Sequence, residues 1–207
     1  FTKASNCLNS IGSNYFLMSE NNQALTYYLK SLKIAEKAQD HALISTAYEN
    51  IGLIYKRLNN SKKAFEYFEK SLQQLATVGD DSRTINVLTN YANAKDQAGQ
   101  TIEALSLYDK ALSLALKSKN VRAQYSLITN IAIAEFGLGH YDKAIKGFVK
   151  GNVFFQQTND QRNLSVGRQY LAETLIEAPD AMIQASGFNP KEKFSAAAKL
   201  IQQSLDY

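Results

Sequence analysis

Apolar residues return at intervals of three and four along most of the chain. Between Ala24 and Ala35 they fall at Ala24, Leu25, Tyr28, Leu29, Leu32 and Ala35, the stripe of an amphipathic helix. The same spacing runs through ALISTAYENIGLIYKRL (Ala42–Leu58) and SKKAFEYFEKSLQQLATV (Ser61–Val78). Short polar stretches, SENN, LNNS, AGQT and LGHY, separate such stripes. The pattern predicts pairs of helices joined by tight turns.

The pairs repeat. Gly12, Gly52, Ala92 and Ala132 stand forty residues apart, as do Ala24, Ala64, Ala104 and Ala144. Tyr28, Phe68, Tyr108 and Phe148 keep the same interval, and so do Asp40, Asp80, Asn120 and Asp160. Four registers at one period define an internal repeat. The Asp and Asn series falls where each first helix needs an N-cap, because those side chains accept from free backbone N–H groups. Asn21, Ser61 and Thr101 are placed to cap the second helices; Tyr141 breaks that series, which leaves Asp142 as the expected substitute. Small residues let paired helices approach while an aromatic fills the gap, and stacked pairs bury a continuous core. The expected fold is all-α: a right-handed α-solenoid of about five helix-turn-helix repeats, one domain over 1–207. The repeats are expected at 2–39, 41–79, 81–119, 121–159 and 161–207.

The fifth repeat slips. Ala172 is on register, but the Ala due at 184 is Gln184, and a matching pattern arrives thirteen residues late at Ala197, Ile201 and Ser204. Residues 178–190 therefore read as an insertion, with Pro179 stopping one helix and Pro190 starting the next. A longer loop with a short helical turn is the favoured reading of it; a lip over one end of a groove is the functional one.

Composition narrows the chemistry. The 207 residues hold one cysteine, Cys7, and two histidines, His41 and His140, in different repeats. Disulfide frameworks and metal sites have no spacing to support them, and no cofactor is expected. Cys7 reads as a small packing residue. Gly137-Leu138-Gly139 is a turn, not a dinucleotide loop, since no third glycine follows. With no nucleophile elbow or phosphate loop, the chain is expected not to be an enzyme. The net charge of +4 is spread as one excess positive charge in each of the first four forties, not gathered as phosphate binding requires. Nucleic acid is not an expected partner of this region, and no apolar run is long enough for membrane insertion. Lys95 and Glu135, at equivalent places in adjacent repeats, are expected to pair.

The residues Leu8, Ile11, Gly12, Tyr15, Ala24, Tyr28 and Ser31, and then Tyr48, Ile51, Gly52, Tyr55, Ala64, Phe68 and Ser71, resemble the tetratricopeptide repeat in a long, forty-residue form. The third and fourth units keep Ala92, Ala104, Tyr108 and Ala111, then Ala132, Ala144, Phe148 and Gly151, but offer Lys95 and Glu135 where Tyr is expected. The resemblance implies a non-enzymatic protein- or peptide-binding scaffold whose first helices face a groove. On those helices Asn50, Asn90 and Asn130 recur forty apart, resembling the amide ladders of kinesin light chains and spindle adaptors. An Asn amide both donates and accepts, so such a ladder can hold an extended backbone; the competing reading is that these amides set the repeat spacing. The same register adds Thr46, Asn86 and Ser126 one turn earlier, with Asn9 and Glu49 beside them. The positions corresponding to the carboxylate clamp of tetratricopeptide co-chaperones read Asn9, Ser13, Asn50, Asn86 and Asn90, with no cation, so such a clamp is not expected. The repeats also resemble those ahead of bacterial histidine kinases and transcription regulators, implying the sensory or docking region of a larger signalling protein. The cytoplasm is the expected compartment, or the periplasm if a leader has been removed. The alternative is a structural spacer or a homodimerisation platform using the uncapped C-terminal end.

Overall fold

The computed structural model describes residues 1–205, so the last two residues of the expected fifth repeat, 206 and 207, lie outside the described residues. Paired helices follow one another from Thr2: α1 (Thr2–Leu17), α2 (Asn21–Lys37), α3 (His41–Arg57), α4 (Ser61–Val78), α5 (Asp81–Gln97), α6 (Thr101–Lys117), α7 (Val121–Gly137), α8 (Tyr141–Gln157) and α9 (Gln161–Glu177). The fifth pair closes later, through α10 (Asp180–Ala185), a 3₁₀ turn at Pro190–Glu192 and α11 (Lys193–Leu205). All regular structure among the described residues is helical. The chain divides into two compact units, Phe1–Leu114 and the part from Ala115 onward, the division falling within α6.

Local chemistry sets the helix starts. Asp40, Asp80, Asn120 and Asp160 accept from the backbone N–H of Leu43, Arg83, Ala123 and Asn163 at 3.1, 3.0, 3.2 and 3.4 Å, satisfying donors that a helix leaves free. The second helices are capped differently from expectation. Asn60, not Ser61, accepts from Lys63 N–H at 3.2 Å, so Ser61 is already the first helical residue. Asn21 likewise lies inside α2, whose N-cap Glu20 makes no side-chain cap bond. Asp142 does not cap α8: it sits in the first turn, 3.8 Å from Lys146.

In the first unit the small residues work as close-approach points. A Cβ on Gly12 would fall 2.7 Å from the Tyr28 ring, and one on Gly52 would fall 3.0 Å from Phe68. Around these contacts Ala24, Tyr28, Leu32, Ala47, Ile51 and Ile54 form one buried cluster; Ala64, Phe68, Leu75, Val87 and Tyr91 form another. Two buried serine pairs tie first helices to second ones. Ser5 and Ser31 stand 2.8 Å apart, as do Ser45 and Ser71, and Ser31 and Ser71 lie within hydrogen-bonding distance of their partners' backbone carbonyls. Cys7 is exposed rather than packed.

In the second unit Ser165 Oγ donates to the carbonyl of Ser204 at 3.1 Å. Its separation of 39 residues is the 26 of the earlier serine pairs lengthened by the thirteen-residue insertion. Ala197, the displaced landmark, is buried. The insertion is more than a loop: α10 puts Ile183 into the core with Ala144, Phe148, Leu171 and Leu175. Glu135 and Lys95 do not pair with each other but find partners elsewhere. Glu135 accepts from His140 Nδ1 at 2.5 Å and Lys143 at 3.2 Å; Lys95 donates to Gln100 at 2.7 Å and lies over the Phe65 ring.

Candidate functional site

Within the first unit, α1, α3 and α5 are the first helices of successive repeats, and their neighbouring side chains hydrogen-bond at offsets of 41 residues. Asn50 Nδ2 donates to Asn9 Oδ1 at 2.8 Å, and Asn90 Nδ2 donates to Glu49 Oε1 at 2.8 Å. Arg83 donates to the Ala42 carbonyl at 3.1 Å and approaches Thr46 Oγ1 at 3.4 Å. Further along, Arg57 lies 3.4 Å above the centre of the Phe16 ring and donates to the Phe16 carbonyl at 2.5 Å. Part of the amide ladder therefore spaces the repeats.

It is not wholly consumed. Asn50 and Asn90 each commit one N–H to a neighbour, while their oxygens and remaining N–H groups make no other hydrogen bond among the described residues. Both residues are half-buried, as are Asn9, Thr46 and Glu49, and Asn86 is exposed on the same helix as Asn90. The face therefore keeps unspent donors and acceptors. In the second unit, Ser126 and Asn130 are half-buried on α7, and neither side chain makes a hydrogen bond among the described residues.

Glu49 is the acidic rung. Burial pushes its carboxyl above the usual range, against the opposing effects of the Asn90 amide and the Arg83 charge. On α5, burial first, and then the hydrogen bond to Glu69 of α4 at 2.6 Å, raise the Tyr91 phenol.

A depression of about 500 Å³ continues this face toward the helix C-termini, lined by Phe16, Leu53, Lys56, Arg57, Asn59 and Gln97. Gln97 Nε2 bonds Asn59 Oδ1 at 3.0 Å across it. The sequence reading missed these residues, yet the signal was present. Leu53 and Arg57 follow Asn50 by three and seven residues, so they share its helical stripe. Among the described residues, no helix is long and apolar enough to cross a membrane.

The family profile of the tetratricopeptide repeat matches residues 4–76 and 63–117. The regulatory protein RapK of Bacillus subtilis (strain 168) is 23% identical over 183 residues, covering 85% of this chain and 46% of RapK. The chain thus spans about half the length of this relative. Among solved structures, a signal transduction ATPase with a tetratricopeptide repeat sensor from Pyrococcus horikoshii matches with a TM-score of 0.81 at 20% identity, over 98% of this chain and 31% of that one. A Rap protein complexed with competence and sporulation factor matches with a TM-score of 0.73 at 14% identity, over 96% of this chain and 54% of that one. With its repeated helix pairs, small-residue contacts and matched profile, the chain belongs to the tetratricopeptide repeat family, a family of protein-interaction scaffolds.

Proposed function

We propose that the chain binds an extended peptide or protein segment along the first-helix face, without catalysis, as the sensory or docking region of a larger signalling protein. The observation that carries this is the pair of half-buried amides, Asn50 and Asn90, which stack the repeats with one N–H and retain unspent donors and acceptors. An extended backbone has both groups to offer in return. Asn9, Thr46, Glu49 and Asn86 extend that face, and Asn130 with Ser126 continues the register in sequence. The unbroken forty-residue period across residues 1–160 supports a single domain of about five repeats. A histidine kinase or transcription regulator as the larger protein rests on the resemblance of the repeats, supported by the likeness to a sensor region of a signalling ATPase.

Asn90→Ala would orphan Glu49 and mix stability with binding, so Asn86 is the better probe. Random dodecapeptides displayed on phage are panned on the chain, and the selected peptides are titrated by fluorescence polarisation. Asn86→Arg is expected to weaken them by about tenfold or more (about 1.4 kcal/mol), and Lys110→Ala, an exposed change on α6, to leave them unchanged. Equal affinity for wild type and Asn86→Arg would remove this face from the mechanism.

One observation favours the alternative platform. Phe194, Ile201 and Leu205 are 65%, 40% and 72% exposed on α11 and lie seven and four residues apart, one apolar stripe. Leu200, in contrast, packs on the core of the second unit, so a charge there would unfold the end rather than part a dimer. Light scattering of wild type and Ile201→Glu across a concentration series separates the readings: a dimer that this change abolishes supports the platform.

A further inference from the structure

The depression at the C-terminal end of the first-helix face carries an electrostatic imbalance. Lys56 is half-buried, and among the described residues no carboxylate lies within ion-pair distance of it. Burial lowers its pKa, and no neighbouring acid acts to raise it. Arg57 also lacks a carboxylate partner; its guanidinium is held against Phe16 by the ring contact and one hydrogen bond to the Phe16 carbonyl. A guanidinium has five N–H donors, so most of its capacity remains available. Two cations in the last turn of α3 do complement the helix dipole, but that role is served equally well in open solvent. It does not account for a lysine drawn into a lined depression of about 500 Å³. A desolvated charge without a counter-charge is costly, and a bound anion is the group that offsets the cost. The other lining residues limit its form. Phe16 and Leu53 are apolar, while Asn59 and Gln97 are bonded to one another, so the depression suits a carboxylate carried on a short methylene stem.

Resting on the peptide-binding reading above, we propose that this depression is a subsite for an acidic side chain, Asp or Glu, of the bound extended segment. Lys56 and Arg57 meet the carboxylate, and Phe16 and Leu53 cover the methylenes. Asn50 and Asn90 hold the backbone irrespective of sequence; the Lys56–Arg57 subsite then selects among segments. It differs in place from the Asn9, Ser13, Asn50, Asn86 and Asn90 positions at which a co-chaperone clamp would hold its cations.

The test uses the panned dodecapeptides and the whole chain. Peptides selected by wild type are expected to share an Asp or Glu at one position, and its replacement by Asn or Gln to weaken binding by about tenfold. Lys56→Gln is expected to weaken the acidic peptide similarly and the amide peptide little, so the two changes are not additive. Arg57→Gln extends the test, with thermal melting to check that losing the Phe16 contact leaves the fold intact; Lys56→Gln stands without it. Peptides with no acidic preference, or equal discrimination by wild type and Lys56→Gln, would overturn the subsite while leaving the peptide-binding face in place. A preference for a phosphorylated side chain over Glu by tenfold or more would overturn the carboxylate assignment. Failure of any peptide to bind wild type would remove both readings, whereas peptides that bind wild type and lose affinity with Asn86→Arg, but show no acidic preference, would remove the subsite alone.

Discussion

Asn50–Asn9 and Asn90–Glu49 occupy the same geometric slot in successive repeats, with one neutral acceptor and one acidic one. The acidic version stores a pH dependence. Burial raises the folded-state pKa of Glu49, so folding favours the protonated carboxyl. Its stabilising contribution is full below the unfolded value of about 4.3 and is lost as pH rises through the folded value. Glu49→Gln keeps an oxygen for the Asn90 amide and removes the ionisation. Relative to wild type, the variant is expected to gain stability between about pH 4 and about pH 7. Urea unfolding at the two pH values measures the difference; a gap that narrows on going to neutral pH would show that Arg83 and Asn90 outweigh burial.

Each turn from α1 through to α9 closes on one left-handed residue, and those residues recur every twenty positions. Ser19, Gln39, Asn59, Lys119 and Asn159 have φ between 52° and 63°, and Gly79, Gly99 and Gly139 have φ between 70° and 77°. Where glycine occupies the position the conformation is free; a side chain there bears a cost of about 1–2 kcal/mol. Gln39 and Lys119 are exposed, so their side chains have little packing to lose. Gln39→Gly and Lys119→Gly are each expected to stabilise by up to about 1 kcal/mol, after glycine's greater unfolded-state entropy is subtracted. Thermal melts of the two variants check this, and a fall in both would place the strain elsewhere. The element thus has a strong positional demand and a weak sequence signature, because three glycines and five other residues satisfy one backbone geometry.

Beyond single elements, the insertion decides how the last repeat is built. Removing residues 178–190 would restore the forty-residue period on paper. In the folded second unit it would delete Ile183, which is fully buried against the helices of two repeats. Ile183→Ala is expected to cost about 2–5 kcal/mol, measurable by denaturant unfolding; a loss under about 0.5 kcal/mol, the usual range for a surface position, would mean that α10 is only a covering loop.

The helix pairs and the forty-residue period were legible in the chain because they are local. Apolar spacing, cap residues and small-residue registers are written within a turn or two of where they act. The caps of α2 and α4 were misread by one position, since Asn60 and Ser61 are both competent and only the turn geometry separates them. Tertiary structure decided the rest. Whether Asn50 faces solvent or Asn9 depends on the approach of two helices 41 residues apart in sequence. Whether Ser45 meets Ser71 depends on helix packing at an offset of 26. The isolation of Lys56 is likewise a property of three helices brought together. Sequence alone determined which faces the helices have; how closely those faces approach, and so which polar groups remain unspent, was set by packing.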